Sequence, residues 1–235
     1  WRGEGGRSPA APSNGFMWRP EKELTNIIPI GILFKVSTMG KAEKTRHQII
    51  EVAGPIFNRN GYAGTSLSEL TEALGMTKGA LYGNFRNKDE IALEAFEYNF
   101  GKISAGIEEA LKGHDNSCDK LTAFADFYAE HYRVIARTGG CPLLNGAIDS
   151  DDGHPGLKKR VRGKIAYWKS NLIVLVQRGV RRGEIREDAD AEGFAELFIA
   201  LIEGGIMLSK VAGEDSPLQA VVRHIKGLVE AMREK

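Results

Sequence analysis

Thr65–Lys88 reads TSLSELTEALGMTKGALYGNFRNK, and its punctuation decides the fold. Ser66 followed three residues later by Glu69 is a capping-box signal, and Leu67, Leu70 and Leu74 follow at helical spacing. Gly75 supplies the left-handed residue that ends a helix. Thr77 caps a second short helix carrying Lys78, Gly79, Ala80, Leu81 and Tyr82. Asn87 with Glu90 then starts a third, longer one. Two short helices about a glycine turn make a helix-turn-helix, whose second helix has the geometry to enter a DNA major groove.

Upstream, Ile49, Val52, Ala53, Ile56 and Phe57 line one face of a helix that begins near Lys44 and closes at Asn60-Gly61. It completes a three-helix unit over 39–87. Lys41, Lys44 and Arg46 at its start suit either a phosphate contact or a solvated helix end. Residues 1–38 are rich in Gly, Pro and Ser at their start and read as a disordered extension ahead of Met39. Their apolar run Ile27–Phe34 is interrupted by Pro29 and Gly31 and is far shorter than the roughly 20 residues of a membrane span.

Downstream, residues 88–235 carry a succession of amphipathic patterns. The helix opened by Asn87 continues to about Lys112, long enough to bridge two domains. Others follow from Leu121 to Ile135, from Pro155 to Gly183, and at the end of the chain. Gly179 falls inside one of them, at a cost of about 1 kcal/mol relative to Ala. Phe194–Leu208 is apolar around much of its circumference, as in a helix buried on more than one side. Ser216-Pro217-Leu218-Gln219 opens a terminal helix with Val222 and Ile225 on its apolar face.

Thr65-Ser66, Leu74-Gly75-Met76-Thr77, Lys78-Gly79-Ala80-Leu81-Tyr82, Phe85 and Lys88 together resemble the signature of the TetR family, in order and spacing. The specific match runs from about Lys44 to Phe96. Asn84 departs from it, standing where family members more often carry His or Tyr. The resemblance implies an all-α protein: an N-terminal helix-turn-helix domain and a C-terminal helical ligand-binding and dimerisation domain. It also implies a homodimer whose last two helices, Val222 and Ile225 included, form a four-helix bundle across a two-fold axis. The implied partners are double-stranded operator DNA and a small-molecule effector. In chemistry, Lys78-Gly79-Ala80 gives a recognition helix a donor and little bulk, so its backbone can approach the groove floor. Tyr82, Asn84 and Lys88, with Thr65 and Ser66 at a helix N-terminus, suit the DNA backbone. Tyr128, His131, Tyr132, Trp168 and Phe198 are candidates to line an effector cavity, although aromatic residues at helical spacing are more often plain core.

Composition sets looser limits. The 235 residues carry a net charge of +1, so DNA affinity must come from a local basic face rather than from overall charge. Cys118 and Cys141 are the only cysteines, too few for a disulfide framework and consistent with a cytoplasmic setting. The histidines lack metal-ligand spacing, Thr77-Lys78-Gly79 lacks the earlier glycine of a phosphate loop, and neither a cofactor nor a metal is expected. Gly139-Gly140-Cys141-Pro142 sets a cysteine near a helix N-terminus, an environment that can lower a thiol pKa. There the chain locally resembles the electrophile-sensing NemR branch of the family, which also implies Lys210 as a partner of Cys141. A buried structural cysteine is the competing reading. The other class of function weighed is an all-α thiol-dependent enzyme or redox protein using Cys141, against which no hydrolase elbow or metal motif is present.

Overall fold

The computed structural model describes residues 40–151 and 153–235, so the reading of residues 1–38 as an extension ahead of Met39 lies outside the described residues. Among these residues the chain is all-α, with no strand. The helices are α1 (Lys41–Gly64), α2 (Leu67–Leu74), α3 (Lys78–Tyr82), α4 (Lys88–Leu111), α5 (Ser117–Arg137), α6 (Pro142–Asp149), α7 (Pro155–Arg181), α8 (Ala191–Ala212) and α9 (Ser216–Met232).

The helix boundaries follow from the caps. Ser66 Oγ accepts from the Glu69 N–H at 3.1 Å, Thr77 Oγ1 from Ala80 at 3.1 Å, and Asn87 Oδ1 from Glu90 at 2.9 Å. Gly75 adopts φ 61°, and the N–H groups of Gly75 and Met76 satisfy carbonyls of the last turn of α2. The expected close of the first helix at Gly61 is a break rather than an end. Gly61 lies at φ 72°, ψ 176°, and a further helical turn follows it to Gly64. At the break the Tyr62 N–H donates to Asp149 Oδ2 (2.6 Å), and a Cβ on Gly61 would fall 2.6 Å from Asp149 Oδ1.

Two apolar cores result, and α4 belongs to both. The smaller gathers Ile49, Ala53 and Phe57 of α1, Leu70 of α2, Leu81 and Phe85 around α3, and Ile91, Ala92 and Ala95 of α4. The larger begins one residue later, with Phe96, Phe100, Ile107 and Leu111 of α4 packed among α5 to α9. Its centre is aromatic: Trp168 stands edge-on to Tyr128 (ring centroids 5.7 Å apart) and Phe124 meets Phe198 at 5.1 Å. Gly179 is explained by close approach. A Cβ there would lie 2.6 Å from Ile185 Cδ1, where the end of α7 meets the start of α5.

The last two helices depart from expectation in one respect. Val222 and Ile225 are 3% and 0% exposed within a single chain, so they belong to its own core and are corrected from the shared face. The reason is the phase of α9, which turns these positions inward while its charged residues face out. A line of exposed apolar residues lies on α8 instead, where Leu197, Leu208 and Val211 are 54%, 53% and 85% exposed, with half-buried Leu201 between them.

Arg46, at the start of α1, is engaged within the head. Its guanidinium lies 4.1 Å from the centroid of the Phe85 ring and donates to the Asn84 carbonyl, to Glu90 (3.0 Å) and to Glu94. It thereby fastens the end of α3 and the start of α4 to α1. The Arg86 backbone N–H, followed by Arg46, holds the Glu90 carboxyl down at about 2. A depressed carboxylate stabilises the fold above its unfolded pKa, near 4.5, and that contribution disappears as pH falls through the folded value. Melting of the wild type should therefore drop between about pH 5 and pH 2, and Arg46→Met should lower Tm at pH 7 while flattening that drop. An unchanged pH profile in Arg46→Met would count against this role.

Candidate DNA interface and effector region

The short helix α3 presents Lys78, Gly79 and Ala80 to solvent, with Tyr82 43% exposed beside them, while Leu81 and Phe85 on its other side are buried. Small residues thus line the outer surface of a helix fixed from behind, which is the form a groove reader needs. Ser66 caps α2 and remains exposed.

Three other assigned residues are held differently. Thr65 is 1% exposed and its hydroxyl donates to the Gly61 carbonyl at 2.7 Å, bracing the break in α1 rather than facing a phosphate. Lys88 lies 4.3 Å from the centroid of the Tyr62 ring and donates to the Tyr62 carbonyl, so its ammonium ties α4 to α1. Asn84 turns its amide onto the Ala80 carbonyl (3.0 Å) and closes the end of α3. Arg86, which the sequence reading passed over, has a side chain 87% exposed just beyond α3. The signal for it was a basic residue immediately after the recognition helix.

Most of the aromatic residues considered for an effector cavity are packed against one another. Tyr128, Trp168 and Phe198 are at most 2% exposed and fill the centre of the larger core, with Tyr132 at 6%. Helical spacing brings them together as packing, which is why they were conspicuous in the sequence. His131 alone borders open space, a pocket of about 170 Å³ shared with Phe127, Ile135 and Gly140. A pocket of about 260 Å³ lies at the meeting of α1, α4 and α6, around Phe57, Tyr62, Phe96 and Asn145. A groove of about 630 Å³ lies between α4 and α7.

Gly139 and Gly140, at φ 108° and 105°, join α5 to α6 and present their carbonyls to three different helices. Lys210 Nζ of α8 donates to Gly139 O at 2.6 Å, Asn145 Nδ2 of α6 to the same oxygen at 3.0 Å, and Asn58 Nδ2 of α1 to Gly140 O at 2.9 Å. Cys141 follows, 2% exposed, and its thiol donates to Glu203 Oε1 at 2.9 Å.

Lys210 thus reaches the carbonyl two residues before Cys141, while the thiol itself is bonded to Glu203. This environment does not favour a thiolate. Burial pushes the Cys141 thiol well up, and the Glu203 carboxyl adds to the effect. The amides of Leu144 and Leu143, at the start of α6, pull the other way, as the helix N-terminus argument anticipates, but they are outweighed. No histidine contacts the thiol among the described residues; its partner is the Glu203 carboxyl. Glu203 is itself raised to about 7 by burial, and its Oε2 has no hydrogen-bond partner.

Residues 49–95 match the family profile described as bacterial regulatory proteins, tetR family, and residues 117–225 match a tetracyclin repressor-like C-terminal domain. A TetR-family transcriptional regulator from Chloroflexus aurantiacus is 37% identical and superposes with a TM-score of 0.79, covering 83% of this chain and 98% of that one. The chain belongs to the TetR family of transcriptional regulators. A second TetR-family structure, from Cytophaga hutchinsonii, is 35% identical with a TM-score of 0.79, over 84% of this chain and 98% of its own. An uncharacterized helix-turn-helix regulator of Bacillus subtilis, YxaF, is 28% identical over 186 residues, 79% of this chain and 95% of that protein. As a TetR-type protein the chain is a ligand-responsive, DNA-binding transcriptional regulator, and its relatives are regulators rather than enzymes. Among the described residues no helix is long and apolar enough to cross a membrane.

Two tests follow from this geometry. Lys78→Ala should relax the preferred DNA sequence at one position, whereas Lys88→Met should lower Tm and leave the preferred sequence as it was. A selection from random duplexes with each variant reads the difference, and unchanged preference in Lys78→Ala would displace α3 as the reader. For Glu203, a folded pKa raised from 4.5 to about 7 contributes stability that is complete below the unfolded value and lost as pH rises through the folded one. Full ionisation would cost about 3 kcal/mol. Glu203→Gln should therefore gain stability over wild type in urea as pH is raised from 5 to 8. A difference independent of pH would mean the carboxyl is not held protonated.

Proposed function

We propose that the protein is a homodimeric repressor that leaves a near-palindromic operator when an effector binds, with 39–87 as its DNA-reading domain and 88–235 as its effector-binding and dimerisation domain. The observation that carries this reading is the outward face of α3, Lys78-Gly79-Ala80 with Tyr82, seated on a rigid core that α4 shares with the rest of the molecule. Lys78 reads a base edge while Tyr82, Ser66 and Arg86 meet the backbone. In a dimer, two such helices enter successive major grooves about 34–36 Å apart or a multiple of that distance. The setting is the cytoplasm, where operator DNA is accessible.

The exposed apolar line of α8 supports the dimer. Leu197, Leu201, Leu208 and Val211 recur at intervals that keep them on one face, and a surface of that kind on a regulator calls for a partner helix. Effector binding then favours a conformer whose two heads no longer match the operator spacing, a shift of population rather than a lost DNA contact.

A duplex selected from random sequence should carry an inverted repeat and be shifted by the protein in a salt-dependent manner. Leu208→Asp should halve the sedimenting mass and weaken operator binding although the DNA head is untouched. Selection of a single unrepeated site, or an intact dimer in Leu208→Asp, would remove the corresponding half of the proposal.

A further inference from the structure

The groove between α4 and α7 has a lining unlike the rest of the surface. On α4 it shows Leu93, Glu97, Phe100, Gly101 and Ser104; on α7 it shows Gly156, Lys159, Arg160, Gly163, Lys164 and Tyr167. These positions follow one face of each helix, and the two faces run side by side for about 16 Å at 1.5 Å per residue. Gly101 and Gly163 keep the groove open, since a Cβ at either position would meet no atom within 4 Å. Its volume of about 630 Å³ lies within the roughly 300–1,000 Å³ of small-molecule sites.

Its charge is one-sided. Glu97 is the single carboxylate in the lining, and it is engaged by Arg160 Nη1 at 2.8 Å and Lys164 Nζ at 2.7 Å. Lys164 Nζ also lies 5.0 Å from the centroid of the Phe100 ring. Lys159 has no carboxylate partner among the described residues, so three cations stand against one anion along a wall otherwise made of Leu93, Phe100 and Tyr167. An apolar trough with a surplus of fixed positive charge at its rim selects for a body that is apolar and a head that is acidic.

We propose that this groove is the effector site and that its ligand is an amphipathic carboxylate, with its apolar body along Phe100 and Tyr167 and its acid group against Lys159 and Arg160. This rests on the reading of the protein as a ligand-responsive regulator and adds the site and the chemical class. The location also supplies a consequence for the DNA head. The N-terminal end of the groove reaches the head: Leu93, which borders it, stands on α4 between Ala92 and Ala95 of the core under α3, while Phe100 further along belongs to the larger core. A body wedged between α4 and α7 therefore presses on the helix that carries the head.

Calorimetric titration of the full protein with octanoate, octanol and octylamine tests the site without DNA. Octanoate should bind at least tenfold more tightly than the alcohol or the amine. Gly163→Leu places a side chain in open space on a helix where Leu is a better helix former than Gly, so it should fold normally and abolish octanoate binding. Lys159→Gln with Arg160→Gln should bring octanoate down to the affinity of octanol and leave octanol unchanged. Octanoate binding no tighter than octanol or octylamine, or equal in wild type and Gly163→Leu, would overturn the proposal. So would an altered sedimenting mass in Gly163→Leu, which would make the groove a contact between copies. A separate gel shift with the selected duplex reports on regulation: failure to bind any duplex would sink the repressor reading, while release by other compounds but not by octanoate would sink only the groove.

Discussion

Everything in this molecule depends on α4 being one uninterrupted helix with its apolar residues divided between two cores. Ile91 and Ala95 are committed to the head and Phe96 and Phe100 to the body, with no residue between the two sets. An interior packed at the density of a protein core does not tolerate a shift on one side alone. A rotation or slide of α4 in the body must therefore reappear under α3. The head is otherwise stiffened locally, by Arg46 across α1, α3 and α4 and by Lys88 on Tyr62, so it moves as a unit.

The second connection between the parts is polar. The Gly139 and Gly140 carbonyls gather donors from α1, α6 and α8, and Asp149 at the end of α6 receives the Tyr62 N–H at the break in α1. Tyr62 itself donates its hydroxyl to Asp89, an interaction that, with burial, raises its pKa to about 12. Its ring stands edge-on to His154, 4.5 Å between centroids, at the start of α7. Head and body thus meet through directional bonds around a few small or turn residues, where rearrangement is cheaper than in the aromatic centre.

The head was legible in the sequence because its signals are local. A capping residue, a left-handed glycine and a second cap each act within four residues, and the structure has all three at the expected positions. What failed to be legible was direction over long range. Lys88 and Arg46 read as free cations because their partners, Tyr62 and Glu90 with Glu94, lie 26 to 48 residues away. Val222 and Ile225 read as a shared face because an apolar stripe does not say which neighbour it meets. The aromatic set around Trp168 is brought together as its spacing indicates, but spacing reports proximity and not void. Cys141 shows the same limit in electrostatics. The helix N-terminus pulls in the direction foreseen, but Glu203, 62 residues away, and burial decide the outcome.

The break at Gly61 has a consequence for how this protein can vary. The glycine is needed twice, for its positive φ and because Asp149 Oδ1 already occupies the space a side chain would enter. Asp149 in turn is held there by the Tyr62 amide. The clash part of the cost at residue 61 depends on Asp149 while the φ part does not, so substitutions at the two positions are epistatic and their effects fall short of a simple sum. A side chain at residue 61 therefore remains strained in any descendant of this chain that keeps the break, even one that has lost Asp149.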